Sequence, residues 1–330
     1  GISIVKWTGT GSASTVGHGL SAAPKVIIQK SLSSTSDWPV YHGSISSPNS
    51  NFHTLNSSGG LNNISNYWGS GGVTSSVFGV IGSPYSINAS GVDQIAYCFT
   101  EISGFSKFGS YTGTGAAGNL IETGFEPSFI MFKRTDSTGG WLIFDNKRNL
   151  TNPRNSRLEA NNTGAEQAGS TSKFVDFYSN GFEPQVSDSE INASGGTYIY
   201  MAFAADPDTE APTVAKSFST VAYTGTGTNQ KVEGLGFAPN LVWIKSRSTT
   251  NPNVLHDTVR GIGNVLYSNL TNAEADESAY FTSVGYDYLQ FGKNAGNYNN
   301  TGTDYVAWAW KADDNEATIE EVVEDLDAVA

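Results

Sequence analysis

Cysteine is almost missing from this chain of 330 residues: Cys98 stands alone, so no disulfide can form within one chain. It lies in the apolar run Ile95-Ala96-Tyr97-Cys98-Phe99 and reads as a buried strand thiol. One thiol does not decide the compartment, since assembly in a cytoplasm and disulfide-free secretion fit equally. Charge is scarce too, at 15% of residues, and lopsided, with 18 Lys and Arg against 31 Asp and Glu. Lacking a basic excess, the chain is not expected to bind nucleic acid, because phosphate contacts need a basic face. No apolar stretch approaches the ~20 residues of a membrane-spanning helix, and no membrane insertion is expected. Gly1-Ile2-Ser3 does not begin a signal peptide, so the chain reads as starting mid-protein or after processing. Helical periodicity is absent from the first 310 residues.

What is abundant is Gly, at 37 residues, with Ser, Thr and Asn, alongside 15 Tyr, 17 Phe and 7 Trp. That mixture suits short strands joined by tight turns. A repeat organises them. Trp7-Thr8-Gly9-Thr10-Gly11 recurs as Tyr111-Thr112-Gly113-Thr114-Gly115 and as Tyr223-Thr224-Gly225-Thr226-Gly227. A Pro-led apolar strand follows each time, from Pro24, Pro127 and Pro239, and each ends in a lysine: Lys30, Lys133 and Lys245. Ile87-Asn88-Ala89-Ser90-Gly91 and Ile191-Asn192-Ala193-Ser194-Gly195 precede late apolar strands, as Asn299-Asn300-Thr301-Gly302 does in the third copy. The expected fold is all-β: three tandem β-sandwich or jelly-roll-like repeats over 1–108, 109–207 and 219–312, with a linker at 208–218. Residues 313–330 carry eight acidic and no basic residues, leaving the body only mildly acidic. Ile319, Val322, Val323, Leu326 and Val329 form a helical stripe there, so a short amphipathic helix is expected, set against the alternative of a solvated tail.

Chemistry is harder to find. Gly113-Thr114-Gly115-Ala116-Ala117-Gly118 fits the dinucleotide pattern, but its third Gly is Ser14 and Gln230 in the other copies, and an extended segment follows. A phosphate cradle needs a helix N-terminus, so the segment reads as a turn. His18, His42, His53 and His256 lack metal-ligand spacing, and no nucleophile elbow occurs. His42 and His256 are read as roughly equivalent to Asp145. No carboxylate among Glu122, Asp136, Asp145, Glu159 and Asp188 recurs in all three copies, and the chain is expected not to be an enzyme. Binding is more plausible than catalysis. Trp38, Tyr41 and His42 parallel Trp141 and Asp145, placing a Trp beside a flexible loop twice, which suits sugar stacking with polar contacts. The alternative is that these are shared core residues. In the linker Asp206, Asp208 and Glu210 could donate oxygens to Ca²⁺, although calcium takes six to eight and three side chains would not fill its shell.

The Tyr111–Gly115 start, Lys133-Arg134-Thr135-Asp136-Ser137-Thr138-Gly139-Gly140-Trp141 and Ile191-Asn192-Ala193-Ser194-Gly195-Gly196 resemble a repeat domain of tailed-bacteriophage virion structural and tail-fibre proteins, of the marine and cyanophage type. His256-Asp257-Thr258-Val259-Arg260-Gly261 and Val306-Ala307-Trp308-Ala309-Trp310-Lys311 resemble that family's other common variant. The resemblance covers the chain up to Ala312 and implies a place on the virion surface, as a tail fibre, spike or capsid decoration protein. It carries no catalytic residues. Other virion proteins, a homo-oligomer such as a trimer, and a host surface glycan or protein are the expected partners. A polysaccharide depolymerase and a bacterial surface adhesin or filament subunit are the alternatives.

Overall fold

The computed structural model describes residues 1–82, 86–204, 217–293, 296–312 and 319–321. Three wide antiparallel sheets dominate. In spatial order the first runs Ile2–Thr8, Asp93–Phe99, Val26–Ser31, Pro39–His42, Asn51–Thr54 and Asn62–Asn63. The second runs Ser106–Thr112, Thr197–Ala204, Pro127–Arg134, Leu142–Asp145 and Leu158–Glu159. The third runs Phe218–Thr224, Asp304–Trp310, Leu241–Ser246, Val254–Asp257, Asn264–Tyr267 and Ala275–Asp276. Their ladders also agree residue by residue. Val26, Phe129 and Leu241 pair with Phe99, Phe203 and Trp310 on one side, and with His42, Asp145 and Asp257 on the other.

The central strands Val26–Ser31 and Leu241–Ser246 are buried at every position rather than at every second one, the pattern of strands covered on both faces. One face of each wide sheet packs on a three-stranded sheet, giving an all-β architecture of sandwiched sheets. Ser14–Gly17, Val77–Val80 and Ile319–Glu321 cover the first sheet, around Trp7, Ile27, Trp68 and Phe78. Ile121–Glu122, Val175–Tyr178 and Gly181–Pro184 cover the second, around Phe132, Phe144, Phe182 and Tyr198. Gln230–Glu233, Phe281–Gly285 and Tyr288–Phe291 cover the third, around Val242, Phe281, Phe291 and Tyr305. The opposite faces of the wide sheets meet one another in a single cluster that includes Ile28 and Tyr97, Phe129 and Met201, and Trp243 and Trp308. Each such side chain contributes about 1.5–3 kcal/mol by leaving water.

The two recurring sequence motifs meet in space. Gly113 N donates to Gly196 O (2.8 Å), Gly195 N donates back to Gly113 O (2.9 Å), and Asn192 Oδ1 accepts from Thr114 N (2.9 Å). Asn88 and Asn299 receive Thr10 N and Thr226 N in the same way. A Cβ on Gly113 would lie 2.2 Å from Ala193 O, so only glycine lets the strand end close on this loop. No helix follows the motif: after Thr112 the chain turns and re-enters as the Ile121–Glu122 strand, which cannot cradle a phosphate.

Two expectations are corrected. The boundary at 108/109 falls inside the strand Ser106–Thr112, which pairs along its whole length with Thr197–Phe203. Gly109 is not a break; a Cβ there would lie 2.8 Å from the Tyr200 hydroxyl, so glycine makes room for that ring. In the tail, the described residues Ile319–Glu321 form a strand pairing with Ser14–Val16, not a helix. The rest of that tail, and the linker through residue 216 with Asp206, Asp208 and Glu210, lie outside the described residues.

Gly113→Ala is expected to destabilise the chain by about 1–3 kcal/mol through forced overpacking. Gly71→Ala, where an added Cβ meets nothing within 4 Å, should cost under about 0.5 kcal/mol. Urea unfolding measures both, and equal losses would remove the close-approach explanation.

Candidate functional site

Where the wide sheets meet, backbone carbonyls of strand ends and the loops after them are partly buried and take donors from the neighbouring sheet. The same register positions supply one in every seam. Trp38 Nε1 donates to Tyr267 O (3.0 Å), Trp141 Nε1 to Thr54 O (3.0 Å), and Asn253 Nδ2 to Glu159 O (3.1 Å). The backbone N–H of each of these three is held by the next strand's asparagine: Asn56, Asn161 or Asn269. The strand-end lysines repeat the pattern. Lys30 Nζ reaches Thr271 O (3.2 Å), Lys133 Nζ reaches Ser58 O (3.2 Å), and Lys245 Nζ reaches Thr163 O (3.1 Å). First holds third, third holds second, second holds first. The ring closes.

Burial pushes all three ammonium groups down to about 8, the cost of moving a charge out of water; Asp37 partly offsets it for Lys30. Further carbonyls and hydroxyls offset the loss of hydration, such as Ser36 Oγ for Lys30 (2.9 Å) and Gly139 O for Lys133 (2.6 Å).

A third tie crosses nearer the centre. Tyr97 OH donates to Asp257 Oδ2 (2.8 Å) and Trp308 Nε1 to Asp145 Oδ2 (3.0 Å). Both carboxylates are fully buried and paired with an arginine three residues on, Arg260 and Arg148. Those guanidiniums continue to Glu274 (2.8 Å) and Glu166 (3.1 Å). The register equivalent of Tyr97 and Trp308 on the second sheet is Met201, which donates nothing, and its partner position is His42 in place of aspartate. His42 Nε2 contacts Tyr200 O instead (3.1 Å), and Ile45 stands where the arginines stand. Donor and acceptor change together.

At this position the seam between first and second sheets therefore holds a neutral histidine in place of a buried ion pair. Burial lowers His42 to about 4. Burial and then the charge of Lys133 lower His53 to about 3. His53 is fully buried, neither ring nitrogen has a partner, and its register equivalents are Leu158 and Leu266.

The residues expected to form a sugar platform all lie inside the protein. Trp38 is 0% exposed and Trp141 3%, each buried in a different seam, so the structure does not bring them together as an open face. Tyr41 is buried toward its own sandwich, edge-on to Trp68, while its neighbours His42 and Asp145 are seam residues. Buried on these faces, none offers a surface for a sugar to stack on. His256 is one residue out of register with His42; Asp257 is the true equivalent, and His256 faces the third sandwich, against Tyr298 (2.9 Å) and Phe281. The seam lysines were missed as functional residues, although a lysine ending three apolar runs at one position was the available signal. Among the described residues no group of three His, Cys, Asp or Glu side chains is placed to hold a metal.

Fold and seams together define an all-β protein of sandwiched sheets held face to face by buried polar ties. The chain belongs to the family of a domain of unknown function, DUF7483, whose model matches residues 1–207 and 213–323, so that the Ile319–Glu321 strand falls within the match. No curated protein matches the chain.

His53→Leu, which copies the residue at the two equivalent positions, is expected to stabilise the chain by about 1–3 kcal/mol by removing an unsatisfied buried group. An unchanged or lower urea midpoint would show that the ring nitrogens are satisfied in solution. Because the folded histidines titrate low and unfolded ones near 6.5, the unfolded chain gains protons first as pH falls. Stability should be full above about pH 6.5 and decline toward about pH 4, with a shallower decline in His53→Leu, read from thermal midpoints across that range. A flat profile would contradict neutral burial of His42 and His53.

Proposed function

We propose that the chain is three copies of one β-sandwich module closed into a ring, and that it is a non-catalytic structural and attachment protein of a bacteriophage virion surface. The observation that carries this reading is the threefold recurrence of the seam ties at identical register. Buried lysines, tryptophans and aspartates that would elsewhere suggest chemistry are committed to carbonyls and arginines between sheets, where their value is rigidity. A chain with only 15% charged residues depends little on surface ion pairs, which suits an exposed particle component in varying salt. The resemblance of the repeat motifs to phage tail-fibre and virion domains supports the location. Closure within one chain supplies the threefold arrangement that other appendages obtain by trimerising, so a single chain is the proposed building block.

Immunogold electron microscopy with an antibody to the purified chain, on phage particles whose genome encodes it, tests the location. Label on the outside of particles is expected. Label on cells alone, with none on particles, would overturn it, and release of reducing ends from polysaccharides by the purified chain would overturn the non-catalytic assignment.

A further inference from the structure

The three seams are closed unequally at their outer ends. Between second and third sheets, Glu166 N donates to Arg247 O (2.7 Å), and the Arg247 guanidinium grips the Glu166 carboxylate through two bonds of 2.9 Å. Between third and first, Glu274 N donates to Leu32 O (2.8 Å), and the Leu32 side chain is buried. The matching pair between first and second sheets is Leu61 and Thr135, and no such backbone bond joins them among the described residues. Ile45 and Leu61 stand here where the other seams have Arg148 with Glu166 and Arg260 with Glu274. On the adjoining edge strand, Ser110 occupies the register position of Lys6 and Ala222.

The result is a groove of about 550 Å³, within the range of roughly 300–1,000 Å³ for small-ligand sites. Leu61 gives it a partly exposed apolar spot, with Ile45 and Ile199 buried behind it. Hydroxyls edge that spot. Those of Ser44, Ser46, Ser110 and Thr112 make no hydrogen bond among the described residues and so have donors and acceptors free, while the Thr135 hydroxyl bonds both the hydroxyl and the carbonyl of Thr197. The nearby charges pair with each other: Arg134 holds Asp136 through bonds of 2.9 and 3.1 Å and also gives Nη1 to Ser189 O (2.8 Å). Among the described residues that line the groove there is no cation to attract an anion.

We propose that this groove, on the seam between Ser44–Ser46 and the Ser110–Thr112 strand end, binds a short neutral saccharide. Sugar hydroxyls both donate and accept, as serine and threonine do, and the C–H face of the ring covers Leu61. A sulfated or uronic sugar would meet the Asp136 carboxylate with no unpaired cation to offset it. The proposal rests on the attachment half of the functional reading and gives it a ligand class and a place, distinct from the buried tryptophans.

The test uses the purified chain with saturation-transfer NMR against neutral oligosaccharides (gluco-, manno- and galacto-configured) and their sulfated or uronic counterparts. Two variants fill the groove with residues the chain already holds at the same register: Ser110→Lys, after Lys6, and Thr135→Arg, after Arg247. At least one neutral sugar is expected to bind, with affinity falling tenfold or more in both variants at an unchanged melting temperature. In the unaltered chain its methyl signals from Ile45, Leu61 and Ile199 should shift, a readout that stands if a variant fails to fold. Binding to no neutral sugar, preference for the anionic set, or binding that persists in both variants without those methyl shifts would overturn the proposal. Binding that persists elsewhere on the chain would leave attachment standing and remove only the groove. Absence from particles would do the reverse.

Discussion

A β-sheet has two faces, and in this protein each wide sheet has only one narrow sheet to cover one of them. The second face, lined by side chains such as Ile28, Phe129 and Trp243, must find other cover or remain wet. The three wide sheets provide it for one another, and much else in the molecule follows from that mutual burial. Sheets brought face to face also bury the ends of their connecting loops, whose carbonyls cannot be left without donors. The lysines, the indole N–H groups and the Asn253 amide answer that need.

The choice of donors shows what the seams select for. Lysine is expensive to bury, as the lowered pKa values show, yet it appears at the same strand end three times. Its three donors and long stem let one residue satisfy several carbonyls that belong to different sheets. An apolar residue there would pack without cost to itself but would leave those carbonyls orphaned. Trp38, Trp141 and Asn253 make the same point differently: chemistry varies while the recipient carbonyl stays fixed.

Much of the fold is legible in the sequence because it is local. The Gly-Thr-Gly and Asn-centred motifs recur because they close on each other within each sandwich, and the continuous apolar runs announce strands covered twice. The ties are not local. Trp38 meets a carbonyl 229 residues away, and nothing near it in the chain distinguishes an indole beside Ser36 and Asp37 that is exposed from one that is buried. Register is equally opaque, since one residue of slip reverses the face, which is how His256 is mistaken for the partner of His42. The tail errs for a related reason. Ile319 begins both a helical stripe and a short strand, and the edge of Ser14–Gly17 decides between them.

Three seams of one geometry make asymmetry informative. If mutual support were the whole requirement, the ion-paired arrangement around Asp145 and Asp257 would serve in all three places. One seam departs from it at several positions together: Met201 for a donor, His42 for aspartate, Ile45 for arginine, Leu61 for glutamate and Thr135 for a bridging side chain. Loss of the salt bridge accounts for Ile45 and Leu61 as a matched pair, and loss of the donor accounts for His42. Neither accounts for Thr135, which fills less space than Leu32 and Arg247 and leaves the seam's outer end open. Packing alone favours filling such a gap. A seam that gives up both its outer closure and its ion pair, in a ring that keeps them elsewhere, is the place where the fold has room for something besides holding itself together.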